Sequence, residues 1–134
     1  MTPGKALFLA DCVLALHLAY ILWVITGGLL SRRRPVLAGL HIASLFYSIA
    51  IELGPWPCPL TLAENWLEAH AGLIPYTGPF LLHYLDAIVY PNLSAPLIAT
   101  LGIAVCVGNL ALHGWWFYRH EGIRYRSEQD KHKS

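Results

Sequence analysis

Charge is what this chain lacks most. Asp, Glu, Lys and Arg make up only 13% of its 134 residues, about half the roughly 25% usual in a soluble globular domain. With 56% hydrophobic residues, so short a polypeptide has too little interior to hide them from water, which excludes an ordinary water-soluble domain. Lys and Arg are absent from the whole stretch Gly54–Leu93, whose charged residues are Glu64, Glu68 and Asp86. Cysteine is scarce and odd in number, so Cys12, Cys58 and Cys106 cannot all pair. Cys106 reads as a small packing residue inside a span. A Cys12–Cys58 bridge is open to an oxidising compartment, and a free Cys58 thiol is the simpler alternative. Also missing are a glycine-rich phosphate loop, a Ser/His/Asp order with a nucleophile elbow and a zincin motif. No nucleophile–base pair is legible, so the motifs name no reaction.

What the chain does have is three long apolar runs. Ala6–Leu30, Pro35–Leu53 and Ser94–Tyr118 are interrupted only by Asp11 and Glu52. At about 1.5 Å rise per residue each can cross a hydrocarbon core about 30 Å thick. The arginines are segregated: Arg32, Arg33 and Arg34 follow the first run, and Arg119, Arg124, Arg126, Lys131 and Lys133 follow the last. Under the positive-inside rule both clusters are cytoplasmic. The expected fold is therefore an all-α integral membrane protein of three transmembrane helices, N-terminus out and C-terminus in. We expect one membrane domain, 1–118, with spans near 6–30, 35–53 and 94–118. Residues 54–93 form an outer cap, and 119–134 a cytoplasmic polar tail ending in disorder. The first run is too long for a signal-peptide core and has three arginines behind it, so it reads as an uncleaved reverse anchor.

The outer segment is expected to carry two short interfacial helices. Pro55, Pro57 and Pro59 favour an extended start, and Thr61 stands three residues before Glu64, a capping-box spacing that opens a helix over about 62–71. Leu62, Trp66 and Leu67 form its apolar side, with Glu64, Asn65 and Glu68 turned away, which suits a bilayer surface. The second helix is bounded by Pro79 and Pro91 and is too short to span. Lying at the interface and re-entering the bilayer are its two competing placements.

Polar residues inside the spans are the candidate functional groups. His41, Ser44, Ser48 and Glu52 share one face of the second span, and Ala99, Gly102, Cys106, Asn109 and His113 one face of the third. Cys12, Ala15, Ala19 and Thr26 form a comparable stripe on the first, and Gly27–Gly28 lie near its inner end. The plain reading makes these faces the helix seam. His41 and His113 lie at matched depths, about 8–9 Å from the inner boundary, so their imidazoles can face each other. Haem b ligation by that pair, with Asn109 supporting and His17 as a further intramembrane imidazole, is the sharper reading. His17 is expected near mid-membrane, with bonding to Tyr47, Ser48 or backbone as its simple role. Asp11 and Glu52 lie near outer helix ends, where hydration or backbone bonds spare them burial unpaired. Cys58, His70, His83 and Asp86 supply donor types for a transition metal at no recognised motif spacing. The competing reading there is a solvated polar cap.

One combination of residues has a wider likeness. Ala10-Asp11 leading into Leu16-His17-Leu18, Gly27-Gly28, Leu40-His41-Ile42, Cys58-Pro59-Leu60-Thr61, Glu64-Asn65-Trp66-Leu67 and His83-Tyr84-Leu85 together resemble the bacterial membrane proteins catalogued as domain of unknown function 2784. The resemblance covers about 6–118, most specifically Cys58–Trp66. Its motif positions are Asp11, His17, His41, Glu52, Cys58, Glu64, Asn65, Trp66 and His83. It implies a protein of the bacterial inner membrane, in which the charge bias puts residues 54–93 on the periplasmic side, and carries no activity.

Three roles follow from these residues. Three helices leave much surface for lipid or a partner, which favours an accessory or assembly subunit docked to a larger membrane complex. The intramembrane histidines suit a redox, haem or metal-binding role instead. An enzyme acting on an apolar substrate is the third, and would need a cleft between the cap and the spans. The arginines suit anionic lipid headgroups rather than nucleic acid.

Overall fold

The computed structural model describes residues 1–78, 80–88, 92 and 94–134, and all side chains among them except that of Phe80. Its elements are α1 (Pro3–Leu30), α2 (Pro35–Leu53), α3 (Pro59–His70), α4 (Phe80–Ile88) and α5 (Ala95–Lys133). Among the described residues there is no strand. Among the described residues three helices, α1, α2 and α5, are long and apolar enough to cross a membrane. This is a multi-pass membrane architecture. Each begins with proline in its first two positions, where the missing N–H costs nothing and the fixed φ favours helix.

The α1–α2 turn holds Arg32–Arg34, and Arg34 turns the chain in an extended conformation before Pro35. The spans meet around a small core of Val24, Leu45 and Cys106, with Tyr20, Ile49 and Leu110 packed against it. Much apolar side-chain surface faces outward instead, including Phe8, Leu22, Leu29, Phe46 and Phe117. Water would penalise that surface, whereas a bilayer is as apolar as the side chains themselves.

Gly27 and Gly28 bring α1 close to both neighbours. A Cβ on Gly27 would overlap the His41 ring, and one on Gly28 would lie 2.5 Å from Asn109 Oδ1. The α1 seam therefore runs through Val24, Gly27 and Gly28. Cys12, Ala15, Ala19 and Thr26 are not buried as a stripe: Cys12, Ala15, Ala19 and Thr26 are all exposed, so the face expected on that helix points away from the seam. On α5 the expected face does turn inward, with Cys106 and His113 buried and Asn109 half-buried.

Two further elements differ from expectation. α3 starts at Pro59, with Cys58 as N-cap and no side-chain cap bond, so Thr61 lies inside its first turn and makes no capping box. Its buried residues are Thr61, Glu64 and Leu67, while Leu62 and Trp66 are exposed. The inward face is thus the partly polar one. α3 packs more extensively on α1 than any other pair of helices does, and runs back along it from His17 toward Asp11. The other difference is the tail, where helix continues from Arg119 to Lys133 in place of the disorder expected there. α4 packs against α5. The expected roles of Pro79 and Pro91 at its ends lie outside the described residues.

Candidate functional site

At the end of the bundle next to Arg32–Arg34, His41 is fully buried where the three spans meet. Its Nδ1 lies 2.8 Å from His113 Nε2 and its Nε2 3.2 Å from the Val24 carbonyl. Trp23 stands edge-on to His41 at 5.3 Å between ring centroids, and Trp116 edge-on to His113 at 6.2 Å. The depth match brings the two imidazoles together as a directly hydrogen-bonded pair. That distance argues against the haem arrangement. At roughly 2.0–2.1 Å per metal–nitrogen bond, two axial imidazoles stand about 4 Å apart with a porphyrin disc between them. Here the rings touch. Asn109 is likewise committed, donating to Val105 O at 3.0 Å and Ile25 O at 3.5 Å. Near this end Arg32 stacks over Trp116 and Arg119 over Trp115, each at 5.1 Å.

A polar file continues between α1 and α2, away from Arg32–Arg34. Tyr20 donates to Ser44 O at 3.0 Å and its hydroxyl lies 2.9 Å from Ser48 Oγ; Trp23 Nε1 donates to Ser44 Oγ at 3.2 Å. These pairings fix the relative height of the helices. His17, midway along α1, is level with the last turn of α2, one turn beyond the Tyr20–Ser48 contact. It lies about 10 Å from Val24 along α1, well separated from the His41–His113 pair.

His17 is buried, and its Nε2 lies 4.0 Å from Cys58 Sγ. The three cysteines are free thiols, so Cys58 faces this imidazole and not Cys12. On the buried face of α3 is a carboxylate: Glu64 is 1% exposed and accepts from Tyr76 at 3.1 Å and Tyr84 at 2.5 Å. Two phenols replace the hydration that burial removes, which is what makes a buried carboxylate tolerable. Burial first, then the Glu64 charge, pushes the Tyr76 phenol well above its ordinary range; burial and the Glu64 bond do the same for Tyr84. Asn65 ties the loop down by donating to Tyr76 O at 3.1 Å, and its Oδ1 is buried with no partner among the described residues. Burial raises the Glu68 carboxyl, helped by the Glu64 and Asp11 charges and opposed by His83.

The four candidate metal donors do not converge. Cys58 faces His17. His70 Nδ1 bonds Trp66 O at 2.8 Å and its ring lies on Trp66. His83 stacks on Tyr76 at 4.0 Å, and Asp86 is on α4. Among the described residues no three His, Cys, Asp or Glu side chains are grouped to hold a metal. Asp11 is exposed on the α1 face near Glu68.

From His17 to Ile25 on α1 the spans leave room between them. They enclose, with the loop after α2 and with α4, a half-open cleft of about 650 Å³. Its walls are mostly apolar: Ile21, Ile25, Ile51, Leu81, Leu85, Ile98, Leu101 and Val105, with Trp56 and two prolines at the rim. A few polar groups converge on it: His17, Tyr20, Ser48, Glu52, Cys58 and Thr61. Glu52 approaches the floor at Gly102, where a Cβ would lie 3.8 Å from its Oε1. A volume in the range of about 300–1,000 Å³, apolar walls and a few placed polar groups are the usual properties of a small-molecule site. Sequence reasoning names Glu52, Cys58 and His17 separately and misses that they line one cavity. The spacing between His17 and Cys58, 41 residues apart in sequence, carries no periodic signal.

No curated protein and no solved structure matches this chain. A family model, described as a protein of unknown function (DUF2784), matches residues 7–116. The chain therefore belongs to the DUF2784 family.

Proposed function

We propose that this protein binds an amphiphilic, lipid-like molecule, chain in the apolar cleft and headgroup at Glu52, His17 and Thr61. The cleft carries the reading, because three thin spans would otherwise close on one another. Its polar groups are at the end away from Arg32–Arg34. With the arginines cytoplasmic, in a bacterial inner membrane, the cleft opens to the outer leaflet beneath a periplasmic 54–93 segment. The test is photolabelling in nanodiscs with a diazirine fatty acid, followed by peptide mapping. Adducts are expected on Ile98–Val105 and Ile51–Trp56, and a cleft-filling Gly102→Trp should remove them. Labelling spread evenly over the lipid-facing helices, or indifferent to Gly102→Trp, would refute binding there.

A second reading makes it an accessory or assembly subunit of a larger membrane complex. The observation behind it is the α5 extension, whose residues from Arg119 to Lys133 are exposed along its length. A bare helix of about 15 residues is marginal in water without a packed face, and a partner would supply one. Mild-detergent purification should then bring down another membrane protein, and truncation after Tyr118 should lose it. A partner-free monomer after gentle extraction would oppose this role.

A further inference from the structure

We propose that Cys58 and His17 form a nucleophile–base pair that takes an acyl group from an ester whose chain occupies the cleft. The inference rests on the cleft-binding reading and adds a reaction to it. Two residues from different parts of the chain converge, Sγ to Nε2 at 4.0 Å, and both line the same apolar cavity. Cys58 is half-buried and His17 buried, so the pair meets the cleft rather than bulk water. Catalytic contacts in ligand-free proteins are often longer than in the reacting complex.

The surroundings suit acyl transfer in two further ways. Cys58 is the N-cap of α3, and Pro59 occupies the first helical position. The N–H groups of Leu60 and Thr61 follow, in the first turn where no carbonyl four residues back within the helix can take them. Donors of this kind stabilise an oxyanion. The Glu64 carboxylate lies on the buried face of α3, the helix that Cys58 caps and that packs on α1, and is itself fixed by Tyr76 and Tyr84. It stabilises the positive charge that His17 acquires on taking a proton. Cysteine, histidine and a positioning carboxylate are the general arrangement for activating a nucleophile.

The step balances without a cofactor. His17 Nε2 takes the thiol proton as Sγ attacks the ester carbonyl carbon, and the S–C bond forms as the carbonyl oxygen becomes an oxyanion. The oxyanion then collapses, the C–O bond to the alcohol breaks, and His17 returns the proton to the departing oxygen. The product is S-acyl-Cys58 and a free alcohol. Water or a second alcohol, deprotonated by His17, attacks the thioester carbonyl, the S–C bond breaks, and the thiol is restored with the acid or a new ester.

The test uses the full chain in nanodiscs with p-nitrophenyl palmitate. We expect a burst of about one p-nitrophenolate per chain and one palmitoyl group by intact mass. Peptide mapping should find it on Cys58, and neutral hydroxylamine should remove it. Cys58→Ala should abolish the adduct, Cys12→Ala should leave it, and His17→Gln should slow it about 100-fold or more, the scale of general-base assistance. Glu64→Gln should lower the rate constant while keeping the burst amplitude, a split that partial unfolding would not give. Wild-type protein that photolabels in the cleft but is never acylated overturns this inference alone. Loss of photolabelling in the wild type overturns the binding reading as well. Acylation of Cys12 as fast as Cys58, or a His17→Gln variant with an unchanged thermal midpoint and rate, would reduce Cys58 to an ordinary accessible thiol.

Discussion

Replacing Gly27 by alanine probes the closest approach in the bundle. The new methyl carbon would overlap His41 Cδ2 and lie 2.7 Å from Nε2 and 3.0 Å from Cγ of the same ring. His41 cannot simply swing aside, because it is fully buried and bonded at both nitrogens, to Val24 O and His113. Overpacking of this kind costs about 1–3 kcal/mol. Displacing the ring also weakens two buried hydrogen bonds, each worth about 1 kcal/mol net. Against this, alanine gains about 1 kcal/mol of helix propensity over glycine. The net expectation is a loss of about 1–4 kcal/mol by these terms together. Gly39 on α2 is the matched control, since nothing lies within 4 Å of its added Cβ. Gly39→Ala should therefore be neutral or stabilising by up to about 1 kcal/mol. Reversible unfolding in mixed micelles, titrated with SDS, measures both variants on one scale. If Gly27→Ala proves as stable as Gly39→Ala, the helices do not pack at this depth in this register, and the His41–His113 pair loses its structural basis.

Removing one partner of that pair leaves the other buried nitrogen unsatisfied, so His113→Leu should cost about 1–3 kcal/mol. The double variant with His41→Leu should cost clearly less than the two single losses added; strict additivity in the same titration would mean the imidazoles do not interact. In the cap, the phenols of Tyr76 and Tyr84 are held protonated by burial and by Glu64. A raised folded-state value favours the protonated form. Their contribution to stability is thus whole below the ordinary value near 10 and is lost as pH climbs through the raised folded-state values. Tyrosinate absorbance should show a late component that disappears in the Tyr76→Phe, Tyr84→Phe double variant; ionisation of both together with exposed tyrosine would contradict the buried Glu64 network. For topology, a reporter fused after Ser134 should be active in the cytoplasm, and activity outside would reverse the orientation taken from the arginines.

Legibility follows the range of the forces. The limits of α2 and the start of α5 are readable almost to the residue, because proline, arginine turns and apolar run length act locally. Helix depth is also a local count, which is why the amino-acid order alone pairs His41 with His113. The face of α3 is not legible in this way. Its periodicity separates Leu62 and Trp66 from Glu64 and turns the carboxylate away with the polar side. The burial of Glu64 follows from two phenols, Tyr76 and Tyr84, that lie beyond α3 in the chain. The α1 stripe fails for a similar reason: small residues permit close approach on any face, and only the neighbours decide which face is used.

The chain's composition and order settle that it needs three lipid-crossing helices, since the energy of exposing apolar length to the wrong medium is fixed residue by residue. Tertiary packing alone decides that Cys58 reaches His17, that Glu64 is enclosed, and that the spans part to leave a cleft. Those features depend on which surfaces meet, and van der Waals contact between helices is set by shape that no periodicity encodes.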